Sequence, residues 1–319
     1  MKYVGVVGAG AIGRLTAAEL VRRGHRVTMI SRSGHQASPD QWGAWAVDAR
    51  NGHELARALK RDMGLCDVVV NAVNPVSYTR WERDWPPMAQ GIADACATLG
   101  AGHLMVGNLY GYGSVSGSIA ETRQMDPYGV KGRVRARMWV DALRDHRAGG
   151  APAVEVRASD YFGAAARPGV SLLMDYVIRP VLRGTTAWVP VGDLDAEHSW
   201  TYLPDIARLV ADLVESDTGG HRWGRAWHVP TSAPRAMRAV AQDTARLMGE
   251  RAGVVRRVPR AIMAAARIHP LVRALDETRH QFESPWMLDS TAAQVEFGWS
   301  PTPWEEALGR TVRELTAGQ

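Results

Sequence analysis

Short uninterrupted apolar runs alternate along the chain with stretches whose apolar residues recur every three or four positions. The runs Tyr3–Val7, Arg26–Ser31, Ala44–Val47, Cys66–Val73, His103–Val106 and Ala153–Ala158 predict six strands. The intervening spacing predicts helices. Leu15, Ala18 and Val21 space an apolar face that stops near Arg23-Gly24, and Asn51 caps a helix over Asn51–Lys60. Met88, Ile92, Ala95, Cys96 and Leu99 mark a long helix ended by Gly100. Another starts near Tyr128 and carries Lys131, Val134, Met138 and Ala142 on one face. Gln36–Gly43 and Ser114–Pro127 read as loops. Strictly alternating strands and helices predict an α/β fold, a Rossmann-type doubly wound parallel sheet covered on both faces.

Beyond Gly163 the rhythm changes. Leu172–Leu182 reads as helix, while Thr186–Val191, His198–Leu203 and Trp227–Val229 read as short strands. Ile206, Leu209, Val210, Leu213 and Val214 follow Pro204-Asp205 at helical spacing, and Arg235–Met248 is amphipathic. The expected division is the Rossmann-type domain over 1–163 and a smaller substrate lobe over 164–319, some of whose segments return to the sheet. Trp286, Trp299 and Trp304 suit either core packing or an apolar pocket wall.

The first strand runs into Gly8-Ala-Gly-Ala-Ile-Gly13, a G-x-G-x-x-G turn followed by a helix. In that context the first glycine allows the tight turn. The second admits a pyrophosphate to the backbone, and the third lets helix and strand pack closely. The helix N-terminus then offers N–H groups and partial positive charge to phosphate. Ligands of such sheets lie beyond the carboxyl ends of the strands. Candidate cofactor residues are therefore Gly8, Gly10, Ala11, Ile12 and Gly13, then Ser31 and Arg32, Asp48 and Ala49, Ala72, Val73 and Asn74, and Ser159. The second strand ends in Ser31-Arg32-Ser33 with no acid before Asp40. An acid there would accept from a ribose hydroxyl and repel a 2′-phosphate, whereas an arginine clamps one, so NADP(H) is expected over NAD(H).

Composition narrows the classes further. The apolar fraction of 46% suits a globular protein, and no segment has the length and hydropathy of a membrane span. The net charge of +5 is scattered, as in Arg256-Arg257-Val-Pro-Arg260, so neither a nucleic acid nor a membrane is expected as partner. The chain enters its first strand without a basic and apolar leader, and Cys66 and Cys96 lack metal-ligand spacing. A cytoplasmic protein with two free thiols and no metal is the expectation, with a homodimer left open. Of the 38 basic Lys and Arg residues only Lys2, Lys60 and Lys131 are lysine, and Lys131 falls on an inward helix face.

These features together resemble an extended, atypical short-chain dehydrogenase/reductase of the NAD(P)-dependent epimerase/dehydratase-like family. The resemblance is carried by the glycine turn, Asp48-Ala49, Asn71-Ala72-Val73, Leu109-Tyr-Gly-Tyr-Gly113, Arg157-Ala-Ser-Asp-Tyr-Phe-Gly163, Trp200-Thr-Tyr-Leu-Pro-Asp-Ile-Ala207 and Phe297-Gly-Trp-Ser-Pro-Thr-Pro303. It implies hydride transfer at the nicotinamide C4, with a tyrosine as acid or base in a Tyr-x-x-x-Lys pair. It also implies a lysine on the nicotinamide ribose and a Ser or Thr near the substrate carbonyl. Lys131 takes the lysine role. This chain departs from the pattern in two places. Pro127 stands four before Lys131, with Tyr128 only three before it, and the serine position falls on Asn108 or Val106. Tyr128 or Tyr110 is then expected as the acid beside Asn108, with Asp160 and Tyr161 as further candidates.

The resemblance implies an NADP(H)-dependent oxidoreductase that reduces C=O, C=N or an activated C=C in a small molecule. One alternative is a sugar-nucleotide epimerase or dehydratase that uses NAD(P) as a transient hydride store. Another is a non-catalytic NADP(H)-binding sensor.

Overall fold

The structure is a computed structural model describing residues 1–317 apart from 35–41, 76, 116, 251, 267, 269–271 and 273–275. Most of the loop expected over Gln36–Gly43, with Asp40, lies outside the described residues.

Seven parallel strands form the central sheet. In chain order its first half is β1 (Tyr3–Val7), α1 (Ala11–Arg22), β2 (Arg26–Ser31), β3 (Gly43–Ala46), α2 (Gly52–Met63), β4 (Val68–Asn71), α3 (Trp81–Leu99) and β5 (Gly102–Asn108). The short β6 (Ser118–Ile119), α4 (Gly129–Arg147), β7 (Ala153–Ala158) and β8 (Tyr161–Phe162) follow. Beyond them come α5 (Arg179–Leu182), β9 (Ala187–Val189), β10 (Thr201–Tyr202), α6 (Leu203–Glu215), β11 (Ala226–His228), α7 (Met237–Leu247) and β12 (Val255–Arg257). The sheet order is β11-β7-β5-β4-β1-β2-β3, which places β1 between β2 and β4 with Val4 opposite Val27 and Val68. The chain leaves β1 towards one edge and β4 towards the other, so a crevice opens at their carboxyl ends.

Local chemistry accounts for the elements. Val68, Val69 and Val70 are fully buried, as β-branched residues of a strand covered on both faces should be. Asn51 caps α2 by accepting from the Glu54 N–H at 3.1 Å. Gly100 ends α3 in the left-handed conformation. The expected apolar stripe of α6 is wholly buried. Arg23 ties the end of α1 to Asp212 and Glu215 on α6, at 2.7 and 2.9 Å.

Several elements differ from the sequence reading. The strand expected over Cys66–Val73 shortens to β4, which leaves Ala72, Val73 and Asn74 in the following loop. The loop 114–127 holds β6, which pairs with Met287–Leu288. The helix expected over Leu172–Leu182 contains a wider π-turn at Met174–Ile178. Trp227 lies in the seventh strand of the central sheet, paired with Val156 on β7. One apolar cluster runs from Val4 and Val6 through Phe162 and Trp200 to Trp304. The second half of the chain therefore supplies both an edge strand and a covering helix to the first. Trp286, Trp299 and Trp304 pack into buried positions, and Trp299 and Trp304 donate to Asp212 and Asp243 at 2.7 and 2.9 Å. Cys66 and Cys96 are buried free thiols, and burial pushes the Cys66 thiol up to about 11. Among the described residues no helix is long and apolar enough to cross a membrane, and no group of side chains is placed to hold a metal.

Candidate active site

The crevice begins at the glycine turn. Gly8 sits at φ +116°, where a β-carbon would lie 2.5 Å from the Ala72 carbonyl oxygen. A β-carbon on Gly13 would lie 1.8 Å from the Gly8 carbonyl oxygen, so α1 can approach the strand only because residue 13 is glycine. The space beside Gly10 is open, with no protein atom within 4 Å of a β-carbon placed there. Ala11 and Ile12 open the helix, and the Ala72–Val73 backbone lies against Gly8. At the end of β2, Ser31 is half-buried and Arg32 is exposed. Asp48 is drawn towards Arg50, which holds its carboxyl below the usual range, and Ala49 beside it is buried. Asn74 is exposed.

At the far end of the crevice, Ser159 donates its backbone N–H to the Thr201 hydroxyl at 3.1 Å, while its own buried hydroxyl has no partner among the described residues. An open approach at Gly10, the close helix–strand seat at Gly13 and an orphaned hydroxyl at β7 together fit a dinucleotide lying across the carboxyl ends of β1 and β7.

Lys131 lies in the first turn of α4 and is 3% exposed. Its Nζ donates to Glu277 Oε2 at 2.6 Å, and its backbone N–H donates to Oε1 of the same carboxylate at 2.8 Å. Its ammonium also sits 4.5 Å from the centre of the Tyr78 ring. The Tyr78 hydroxyl donates to the Tyr110 hydroxyl at 3.1 Å. Both rings pack on Trp81, Tyr110 stacked at 5.9 Å and Tyr78 edge-on at 5.3 Å. Burial pushes the Tyr78 phenol up to about 12, and it raises Tyr110 well above its ordinary value. Both hydroxyls therefore keep their protons through neutral pH.

Each expected acid–base residue has a definite place. Asn108 is half-buried, and its Oδ1 accepts from the Tyr110 N–H at 3.2 Å, turning the loop that presents the Tyr110 ring. Tyr128 precedes α4 with extended backbone, 59% exposed, its ring against His280. It does not meet Lys131, because the helical face begins only at Gly129. Tyr161 is pushed up to about 12 by burial. Asp160 meets His198 Nε2 at 3.0 Å, while His198 Nδ1 lies 3.1 Å from the Gln281 carbonyl oxygen. Tyr112 is committed elsewhere, accepting from Arg157 at 2.6 Å and facing His228 Nε2 at 2.8 Å. Burial brings His228 down to about 4, so its ring is neutral. With Nδ1 donating to the Asp289 carbonyl oxygen at 2.8 Å, Nε2 accepts from Tyr112. Tyr78 and Glu277 had no signal in the sequence. Tyr78 opens a short 3₁₀ turn and Glu277 lies beyond β12, neither in a periodic stretch or motif, and only folding brings them against α4.

A glycine turn with an open approach at Gly10, an inward lysine and a hydroxyl pair beyond adjoining strand ends suit a nicotinamide-dependent α/β enzyme. The profile of the NAD dependent epimerase/dehydratase family matches residues 4–223, well over half the chain, and the chain belongs to that family. It is an NAD(P)-dependent enzyme. No curated protein matches it. Solved structures share its fold. A dTDP-glucose 4,6-dehydratase from Bacillus anthracis in complex with NAD is similar at TM-score 0.80 and 14% identity, covering 100% of this chain and 97% of that one. A UDP-glucose 4-epimerase from Thermotoga maritima with UDP-glucose is similar at TM-score 0.79 and 16% identity, covering 99% and 98%. A UDP-glucuronic acid 4-epimerase from Bacillus cereus is similar at TM-score 0.78 and 16% identity, covering 99% of each chain.

Proposed function

We propose that this chain epimerises or dehydrates a sugar nucleotide and retains its dinucleotide as a transient hydride store. The observation that carries this reading is likeness over the full length. The family profile takes in the cradle and α4, and the sugar-nucleotide enzymes superpose on the C-terminal lobe as well as the sheet. When bound, the nicotinamide supplies the hydride acceptor and donor at its C4. In this reading Gly8, Gly10 and Gly13 seat the pyrophosphate. Ala11, Ile12, Asp48, Ala49, Ala72, Val73 and Asn74 line the nucleotide's path, and Ser159 offers its hydroxyl at the nicotinamide end. Lys131 holds the nicotinamide ribose. Tyr110, relayed by Tyr78 and presented by Asn108, moves the proton at the substrate oxygen. Tyr128 stays outside this relay.

The test is a cofactor balance. UDP-glucose, dTDP-glucose and UDP-glucuronate are each incubated with the enzyme and substoichiometric dinucleotide. The expected result is epimer or dehydrated product with no net reduced nicotinamide. Turnover only of free carbonyl, imine or enone compounds, with stoichiometric NADPH oxidation, would overturn it.

Tight dinucleotide binding with turnover of neither panel would point instead to a sensor.

For the cofactor, NADP(H) is the preferred form, on the strength of the exposed Arg32 at the end of β2. A charge-assisted bond to a 2′-phosphate is worth about 1.5–3 kcal/mol, roughly ten- to a hundredfold in affinity. Arg32→Asp should therefore move the NADP/NAD affinity ratio by that factor towards NAD, measured by titration of both dinucleotides. An unmoved ratio would refute the assignment.

A further inference from the structure

The Lys131–Glu277 pair is an unusual use of an active-site lysine. A single carboxylate from the C-terminal lobe takes both the ammonium, at 2.6 Å, and the backbone N–H of the same residue, at 2.8 Å. The fit is close. Gly129 is at φ +69°, and a β-carbon there would lie 2.1 Å from Glu277 Oε1. Five residues on, Phe282 is buried and its carbonyl oxygen accepts from the Asp193 N–H at 2.7 Å.

We propose that Glu277 is a positioning residue for the proton chemistry of this site: it holds Lys131 in place and cancels the field that the ammonium would otherwise exert on the Tyr78–Tyr110 hydroxyl pair. The distances make the coupling direct. The ammonium lies 4.5 Å from the Tyr78 ring centre, and the Tyr78 hydroxyl reaches Tyr110 at 3.1 Å. An uncancelled positive charge at such a range favours a phenolate, and a carboxylate disfavours it. The other groups facing the pair are Arg135 on α4, whose guanidinium lies over Trp81 and Trp85 at 5.2 and 4.3 Å, and Asp160, itself engaged by His198. Thr278, next to Glu277, bonds the Tyr78 hydroxyl. Burial is the main reason the Tyr78 phenol stands so high, and the negative charge of Glu277 adds to it. Glu277 thus biases the pair towards the protonated form. This rests on the reading that Tyr110 serves the substrate oxygen.

The test needs neither substrate nor dinucleotide. Difluorotyrosine at Tyr78 brings the phenol into a pH range where the folded chain can be titrated, and fluorine NMR follows ionisation at that one position. Glu277→Gln should lower the midpoint by about one pH unit, and Lys131→Gln should raise it. A merely structural Glu277 would not produce opposite signs. An unchanged or raised midpoint in Glu277→Gln overturns the proposal. If that variant does not fold, the absence of a rise in Lys131→Gln overturns it. Opposite shifts in a chain that turns over neither substrate panel would support the electrostatic role and count against the hydride-transfer reading alone.

Discussion

Lys131→Met should cut turnover by roughly a hundredfold, because the nicotinamide that Lys131 holds through its ribose is then misplaced. It should also weaken dinucleotide binding. Lys131 is 3% exposed and lies between the Tyr78 ring and the Glu277 carboxylate. Methionine keeps the length of the side chain but removes the charge, and the carboxylate of Glu277 is left behind. Breaking a buried pair in this way costs about 3–5 kcal/mol, so a lower melting temperature is expected alongside the kinetic loss. The two effects separate in the double variant. Adding Glu277→Gln removes the orphaned carboxylate and should restore most of the thermal stability, while turnover stays low. Turnover that returns together with stability would mean that Lys131 acts only as a structural partner. Lys131→Met with native turnover and native dinucleotide affinity would remove it from the site altogether.

Gly13→Ala should lose both fold stability and dinucleotide binding, whereas Gly10→Ala should lose binding alone. The contrast follows from the surroundings of the two residues. An alanine β-carbon at residue 13 would lie 1.8 Å from the Gly8 carbonyl oxygen, a separation no packed atoms tolerate, so α1 must move off the sheet. Such overpacking costs about 1–3 kcal/mol or more. At residue 10 nothing lies within 4 Å, and the backbone at φ −74° and ψ −174° is open to alanine. The added methyl then enters only the space a pyrophosphate would use. The measurements are thermal melting and titration with NAD and NADP. Gly10→Ala with undiminished affinity for both would place the dinucleotide away from the glycine turn.

Much of the fold was legible in the sequence because its signals are local. Consecutive valines at Val68–Val70 can be buried on both sides only in a covered strand. Asn51 and Gly100 punctuate helices through their own side-chain and backbone chemistry. β11 was harder to place. Three residues around Trp227 carry too little period to show which strand they join, and the pairing with β7 is settled by packing across about seventy residues of chain. The acid–base residues were harder still. The spacing from Tyr128 to Lys131 suits a shared helical face only if the helix includes both. The extended backbone at Tyr128 and the left-handed Gly129, seated against Glu277, move the start of α4 past the tyrosine.

The amino-acid sequence by itself determined the α/β order, the glycine turn, the arginine at the end of β2 and the inward face that carries Lys131. Each follows from chemistry within a few residues along the chain. Only the tertiary structure decided what Lys131 meets. Tyr78 comes from the segment after β4, Tyr110 from the segment after β5, and Glu277 from beyond β12. No local period or motif joins these three segments. Their charges and hydroxyls come together only because the parallel sheet gathers its strand ends on one edge and the segment carrying Glu277 packs against the start of α4.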